Sequence, residues 1–160
     1  MTRFAGGPAE SPGFLLWHMT LLWQRRIAAV LAPVDLTHAQ FVLLACAWWL
    51  GEQGGEPNQR QVAKQAGTDA AMTSQVLRTL ERKGLLERTV DPLDTRAKRL
   101  RLTEAGRSVA RFAVTAVEAV DAEVFGSGAE DLLAALRRIN LDLHLDPADP
   151  RFVVGGAGEA

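Results

Sequence analysis

The feature that most constrains this chain is a pair of closely spaced helix signals near its middle. Asn58 followed by Gln61 is a capping-box pattern, which begins a short helix that Gly67 is placed to end. Thr68 or Asp69 can then cap a second helix after a turn of one residue. Two helices separated by so tight a turn predict a helix-turn-helix unit.

The second helix leads into a predicted β-hairpin. It runs to Lys83, and Gly84 is placed as its left-handed terminator. Its expected inward-facing positions are Met72, Val76, Leu77 and Leu80. Two β-type runs follow, Leu85–Val90 and Arg99–Thr103, and the Asp and Pro residues between them favour a turn. This order has the layout of a winged helix-turn-helix, which we predict for residues 36–103.

An apolar helix precedes this unit and leads into a second, buried one. Helical spacing of apolar residues begins at Phe14, and Pro33 stops it. Thr37 with Gln40 forms another capping box. The helix that it opens is apolar nearly all round through Leu50, so we expect this helix to be buried.

Two further helices follow the hairpin, and the fold class is therefore mainly α with a small β-hairpin. Thr103 caps a long helix, and the last helix spans Ala129–Leu145. The predicted parts are a flexible arm (1–13), a dimerisation helix (14–35), the winged helix-turn-helix (36–103), two more dimerisation helices (104–145) and a mobile tail (146–160). One winged domain does not need such long apolar helices at both ends, which favours a homodimer; the alternative is packing within one chain only.

The charge is distributed unevenly along the chain. The net charge of the whole chain is −1, whereas residues 56–107 carry eleven Lys/Arg and seven Asp/Glu, a net +4, and residues 108–160 carry −5. A basic middle in a neutral chain indicates a centre that binds a polyanion. The alternative is a mixed, solvated surface.

Small polar and hydrogen-bonding side chains on the outer, N-terminal part of the second helix of the unit mark it as a candidate surface for double-stranded DNA. They are Thr68, Asp69, Thr73, Ser74, Gln75 and Arg78. A helix fits the major groove, where hydrogen-bonding side chains can read the edges of the bases. The alternative is that they are caps and solvated residues of an ordinary helix.

The hairpin adds a more specific pattern. Four basic residues lie within six positions: Arg96, Lys98, Arg99 and Arg101. Here the chain resembles the MarR family of bacterial transcription regulators, through Asp94-Thr95-Arg96, Leu102-Thr103-Glu104-Ala105-Gly106 and the helix exit at residues 80–88. The resemblance covers roughly residues 14–145. It implies an obligate homodimer that binds pseudo-palindromic operator DNA and usually represses transcription.

The resemblance also implies roles for individual residues. Arg96 matches the wing arginine that enters the minor groove, and Asp94 matches the acid that orients it. The residues that match those facing the major groove are Thr73, Ser74, Gln75 and Arg78. Lys98 and Arg99 are either phosphate contacts or strand-edge charges, and at most one of them is expected to touch DNA because alternate residues of a strand point to opposite faces. We interpret Arg88 as a salt-bridge partner at the base of the wing.

Many MarR-like proteins bind small aromatic ligands between their dimerisation and DNA-binding parts. Trp17, His18 and Trp48 are candidates for lining such an effector pocket; the alternative is that they are core side chains, with His18 held by a structural hydrogen bond. Cys46 lies midway along the buried-looking second helix, where a thiol is normally inert, so thiol sensing is not expected. We expect no cofactor, and no metal site because the three histidines are far apart in sequence.

Other functional classes fit the sequence less well. The chain has no Gly-rich phosphate loop and no Gly-x-Ser-x-Gly elbow, so an enzyme is not predicted. A DNA-organising protein without sequence preference would carry a larger positive excess than +4. The longest apolar stretch, Phe41–Leu50, is half the length needed to span a bilayer, and a single cysteine suits a reducing compartment, so we expect a cytoplasmic protein and no membrane partner.

Overall fold

The structure of the protein, a computed structural model, describes residues 6–91 and 98–142 and is mostly helical with one two-stranded hairpin. The helices are α1 (Pro12–Leu31), α2 (His38–Glu52), α3 (Gln59–Ala66), α4 (Ala70–Arg82), α5 (Glu104–Phe125) and α6 (Ala129–Asp142). The strands are β1 (Leu86–Val90) and β2 (Lys98–Leu102). Short 3-10 turns lie at Gly7–Glu10, Ala32–Val34 and Gly126–Gly128.

The helix ends follow the caps read from the sequence. Thr37 and Asn58 each accept a hydrogen bond from the backbone N–H three residues on, and both predicted capping boxes form. Asp69, rather than Thr68, is the N-cap of α4, because its carboxylate accepts from the Met72 N–H at 2.8 Å. Left-handed glycines terminate α3 and α4, Gly67 with φ 66° and Gly84 with φ 70°.

The core is arranged around α2, which packs against α1, α3, α4 and α5 and also against β2. The fully buried large side chains include residues from α1, α2, α3, α4 and both strands: Ile27, Leu31, Leu43, Leu44, Val62, Leu77, Leu80, Leu86 and Leu100. The predicted burial of α2 is therefore confirmed along most of its length. Trp49 is its exception, since 51% of this residue is exposed.

The predicted inward face of α4 is wrong at Met72. This residue is 40% exposed, and the buried face consists of Thr73, Leu77 and Leu80, with Val76 half-buried beside them. The spacing of four and three residues is that of one helix face. Hydrophobicity alone favoured Met72, but a threonine whose hydroxyl is bonded locally can occupy the inward position instead.

The two strands pair in antiparallel register, from Leu86 opposite Leu102 to Val90 opposite Lys98. Each strand lies within one residue of its predicted limits. The hairpin is joined to the loop before α3, because the Leu100 N–H donates to the Pro57 carbonyl at 2.8 Å. The predicted turn of the hairpin, residues 92–97, lies outside the described residues.

Helix α1 has one packed and one unpacked portion, whereas the large apolar side chains described on α6 are exposed. Ile27 and Leu31 at the end of α1 are fully buried, and α1 packs along α5. By contrast, the first half of α1 and the described side chains of α6 expose large apolar residues: Phe14, Leu15, Leu16, Trp17, Met19, Leu22, Leu132, Leu133, Leu136 and Ile139. Helix α1 starts at Pro12, two residues before its predicted start at residue 14. Residues 1–5, the predicted end of the last helix at Leu145 and the predicted tail (146–160) lie outside the described residues.

No single helix in the described ranges has the length and apolar composition to cross a bilayer. One bent pair, Pro12–Val34 with His38–Glu52, meets the length and composition criteria only when taken together across a 72° bend.

Candidate nucleic-acid interface

Helix α4 presents a polar and cationic stripe opposite its buried face. Gln75, Arg78 and Arg82 are exposed, together with the small side chain of Ala71. These positions are spaced by three or four residues and therefore share one face of the helix. The predicted DNA residues Gln75 and Arg78 thus lie on an accessible surface that also includes Arg82. Their contact with DNA stays a prediction.

Thr73 is not on that surface, which corrects the expectation that it faces the major groove. Its side chain is fully buried. Its hydroxyl donates to the Asp69 carbonyl at 2.6 Å, and its oxygen lies 2.8 Å from the Thr68 hydroxyl oxygen. Thr68 is half-buried, and its hydroxyl is hydrogen-bonded to that of Thr73. The hydrogen bond between these two threonines therefore stabilises the turn between α3 and α4. Ser74 is half-buried at the edge of the exposed stripe.

The base of the wing, meaning β1, β2 and their connection, is held by ion pairs. Arg88 bonds to Glu81 of α4, with its Nε 2.8 Å from the carboxylate, which confirms the predicted salt bridge. Arg101 lies 2.7 Å from Glu87 on the facing strand. Hydrogen bonding to that carboxylate raises the pKa of Arg101 above its ordinary value.

Lys98 and Arg99 occupy different environments. The Arg99 Nε lies 2.9 Å from the Asp91 carboxylate, and hydrogen bonding to Asp91 raises the pKa of Arg99 above its ordinary value. Arg99 is therefore a strand-edge ion pair, one of the two interpretations that the sequence allowed. Lys98 is exposed. Asp94 and Arg96, to which the resemblance assigns the wing contact, lie outside the described residues.

The ion pairs sort the basic residues of the segment 56–107 into two groups. Five of its eleven cations pair with acidic side chains within the chain: Lys83, Arg88, Arg99, Arg101 and Arg107. Five others have no ion pair within 4.0 Å among residues 6–91 and 98–142: Arg60, Lys64, Arg78, Arg82 and Lys98. These free cations lie on α3, on α4 and at the start of β2. Within this segment, the cations without an ion pair are therefore on the helix-turn-helix and the wing.

Sequence reasoning missed the contribution of α3 to this surface. Arg60 and Lys64 are both exposed and stand four residues apart, so they share one face of the helix. The signal was present as a basic i, i+4 pair on the first helix of the unit. Cations at such positions suit phosphate contacts, which orient a protein on the duplex without reading its sequence.

The position of α5 against the wing depends on Gly106. A Cβ atom at this position would lie 1.8 Å from the Leu85 carbonyl oxygen. Two hydrogen bonds fasten the same junction: the Thr103 N–H donates to the Leu85 carbonyl at 3.1 Å, and the Thr103 hydroxyl donates to the Gly84 carbonyl at 2.7 Å. The Leu-Thr-x-x-Gly pattern therefore describes a contact between two backbones.

The predicted effector-pocket residues do not come together in the chain. Trp48 lines a surface cavity of about 260 Å³ between the end of α2, β2 and the start of α5, called here the Trp48 cavity. Its apolar walls include Leu100 and Leu102, and Arg101 and Arg107 also line it. Trp17 is 60% exposed, and His18 contacts Phe14 with ring centroids 4.4 Å apart, both on the unpacked half of α1. Neither residue lines the Trp48 cavity.

A different aromatic cluster joins α1, α2 and α5. The Trp23 indole N–H donates to the Asp121 carboxylate at 2.6 Å, and the ring meets the edge of His38 at a centroid distance of 4.9 Å. Burial lowers the pKa of His38, and the negative charge of Asp121 partly opposes this shift. Burial also raises the pKa of the half-buried Cys46 thiol. Over the described residues, no three His, Cys, Asp or Glu side chains form a group that could hold a metal ion.

Comparison with known proteins places these features in a family. Residues 33–120 match the family described as ArnR1-like, winged-helix domain. An uncharacterised HTH-type transcriptional regulator of Bacillus subtilis (strain 168), YdcH, is 41% identical over 135 residues, which cover 83% of this chain and 92% of YdcH.

Solved structures show the same similarity. CouR from Rhodococcus jostii RHA1 bound to p-coumaroyl-CoA has a TM-score of 0.74 and 28% identity, over 92% of this chain and 98% of that one. The transcriptional repressor CouR bound to a 23-mer DNA duplex has a TM-score of 0.72 and 30% identity, over 87% and 99%. A MarR-family transcriptional regulator from Rhodococcus sp. RHA1 has a TM-score of 0.70 and 26% identity, over 89% and 96%.

Proposed function

Because this chain belongs to the MarR family of winged helix-turn-helix transcription regulators, we propose that it is a repressor that binds an inverted-repeat operator as a homodimer. The observation that carries the proposal is the exposed stripe of α4 with its free cations. Gln75 offers an amide suited to paired contacts with adenine, and Arg78 offers a guanidinium suited to guanine. Arg60 and Lys64 on α3 supply phosphate contacts beside them.

The unpacked apolar faces support the homodimer. Phe14, Leu15 and Trp17 on α1 and Leu133 and Leu136 on α6 are each between 39% and 60% exposed. Helix faces that leave this many large apolar side chains exposed are typical of interaction sites in a protein that otherwise buries its core. A second copy of the chain covers both faces at once. Its two-fold symmetry would present the two copies of α4, the recognition helix of the proposed unit, to an inverted repeat.

The proposal includes a small aromatic ligand as the effector. The Trp48 cavity offers an indole for stacking and apolar walls. Its two arginines are already paired with Glu87 and Glu104, and Glu52 and Glu56 also line it, so the aromatic part of a ligand, rather than an anionic group, is what the cavity suits. CouR, which is similar in fold, was solved with p-coumaroyl-CoA. The cavity adjoins β2 and the start of α5, so an occupant would act on the base of the wing. A cytoplasmic location and a non-enzymatic role complete the proposal.

The test measures binding to the DNA upstream of the protein's own gene against random DNA of equal length. We expect a preference for one inverted repeat with half-sites about one helical turn, ~34 Å, apart. If the dimer neutralises on the order of eight phosphates, log affinity should fall with log salt at a slope of roughly −7. Equal affinity for both DNAs, or a slope near zero, would contradict the proposal.

Paired variants locate the contact on the protein. Arg78→Ala removes an exposed cation from α4 in both copies of the dimer. We expect it to weaken operator binding and to make the slope of log affinity against log salt shallower by about 2, roughly 1 for each copy. Arg111→Ala is the matched control, because it removes a mostly exposed arginine from α5, away from the helix-turn-helix. Equal loss of affinity in both variants would show that bulk charge, rather than the α4 face, governs binding.

A further inference from the structure

Lys83, at the end of α4, contacts the junction between α1 and α2. Lys83, the C-cap of α4, donates from its ammonium group to the backbone carbonyl of Asp35 and to Gln40 Oε1 at 3.1 Å. The same ammonium lies 2.9 Å from the Asp35 carboxylate. An ammonium group has three donors, and these three acceptors can occupy all of them. We call this set of contacts the Lys83 clamp.

The acceptors belong to the junction between α1 and α2. Asp35 ends the 3-10 turn that follows α1 and has φ 52°, a left-handed conformation that no other non-glycine residue among the described ones adopts. Gln40 belongs to the capping box of α2, since its side chain accepts from the Thr37 N–H at 3.2 Å. The clamp therefore connects the end of the recognition helix to the end of α1 and the start of α2.

The acceptors differ in how well water can replace them. The Asp35 carboxylate is 93% exposed, so its ion pair with Lys83 contributes little. The contact with Gln40 is part-buried, and only 26% of the Lys83 side chain is exposed. The position of the ammonium at the C-terminus of α4 also complements the helix dipole. The hydrogen bond to the Asp35 carbonyl is also exposed, so the part-buried contact with Gln40 is the one that water replaces least easily, and the carboxylate is secondary.

The packing of the helices indicates what the Lys83 clamp can control, namely the orientation of α4 relative to α1. Helix α1 packs on α5 and α2, whereas α4 packs on α2, α3 and β1. We propose that Lys83 is a positioning residue that sets the tilt of α4 relative to α1, and thereby the separation of the two recognition helices in the dimer. This inference rests on the proposed function, because separation has meaning only for a dimer on an inverted repeat. Lys83 needs no contact with DNA for this role.

The test is a set of operators whose half-sites are moved closer together or further apart by single base pairs. Lys83→Met keeps most of the side-chain length and apolar stem but removes all three donors. We expect its preference for the cognate spacing to fall by about fivefold or more, the lower end of typical coupling between sites. Lys64→Met is the matched control, because it removes an exposed lysine of α3 that is outside the clamp. It should weaken binding to every operator alike and keep the spacing preference.

Two more variants separate positioning from charge and from stability. Asp35→Asn keeps the carbonyl acceptor and removes only the exposed carboxylate, so it should retain the spacing preference. Lys83→Arg keeps the charge and several donors and should recover part of the preference lost in Lys83→Met. Melting temperatures of all variants report folding, and the spacing preference is compared at equal fractions of folded protein.

The outcomes are distinct. If Lys83→Met discriminates between spacings as the wild type does, the positioning role is wrong. If Lys64→Met loses the preference equally, the effect is one of charge, and the inference is likewise overturned. If the wild type itself binds all spacings and random DNA alike, the proposed function fails, and the inference fails with it.

Discussion

Replacing Gly106 with alanine should damage the junction between α5 and the wing. The added Cβ would lie 1.8 Å from the Leu85 carbonyl oxygen and 2.7 Å from its carbonyl carbon. Contacts below 3.0 Å are essentially never seen for real Cβ atoms, so the two backbones must separate by more than an ångström. Both groups in this contact belong to the backbone, so neither can move aside as a flexible side chain would. Gly106 lies in the first turn of α5, and Leu85 lies in the short connection between α4 and β1.

The magnitude follows from three effects. Overpacking of a well-packed site costs about 1–3 kcal/mol, and occasionally more. The two hydrogen bonds from Thr103 to Leu85 and Gly84 would lengthen, at about 0.5–1.5 kcal/mol each. Against this, alanine is favoured over glycine inside a helix by about 1 kcal/mol. The net expectation is a loss of about 1–5 kcal/mol in the free energy of unfolding, or a melting temperature lower by roughly 2–20 °C.

The assay is thermal unfolding of Gly106→Ala beside Gly51→Ala. Gly51 lies in the last turn of α2, and a Cβ there would meet nothing within 4 Å. Its replacement should leave the melting temperature unchanged or raise it, because only the helix preference acts. If Gly106→Ala melts at the wild-type temperature or above it, the close backbone contact is not what this glycine provides.

Four further predictions follow from single residues. Arg96→Ala should weaken operator binding strongly while changing the free energy of unfolding by no more than about 0.5 kcal/mol, which operator titration and thermal melting together would check; a large drop in melting temperature would make Arg96 structural. Thr73→Val should destabilise the fold by about 1 kcal/mol, because its buried hydroxyl bonds to Asp69 and Thr68, and should leave base preference unchanged in a binding assay with mutated operators. Because burial raises the pKa of Cys46, its reaction with a thiol reagent at neutral pH should be slower than that of a free cysteine, and Cys46→Ser should leave any peroxide response unaltered. Because the pKa of His38 is lowered in the folded state, the folded protein binds a proton at this residue less readily than the unfolded chain does. The stability contributed by neutral His38 is therefore complete above about pH 6.5 and is lost as the pH falls from there toward the folded pKa. The melting temperature of His38→Gln should change less across that range than that of the wild type.

Much of the chain's local structure could be read from its sequence. The capping boxes at Thr37 and Asn58 and the left-handed glycines Gly67 and Gly84 all form as predicted. These features depend on hydrogen bonds and backbone preferences within four residues of the chain, so no knowledge of distant packing is needed. The order of helices and strands, and with it the winged helix-turn-helix, follows from the same short-range signals.

The tertiary structure decided which face of each element is used and which partner each charge takes. Hydrophobicity predicted Met72 on the buried face of α4. In the structure α4 packs on α2 and α3 with Thr73 buried instead, and the Thr73 hydroxyl donates to the Asp69 carbonyl. Arg99 and Lys98 looked equivalent in sequence, and only the fold brings Asp91 to one of them. Trp48 and Trp17 lie on neighbouring helices, yet one lines a cavity and the other faces outward. Such choices depend on groups far apart in sequence that meet only when the helices pack, and a local pattern carries no information about those meetings.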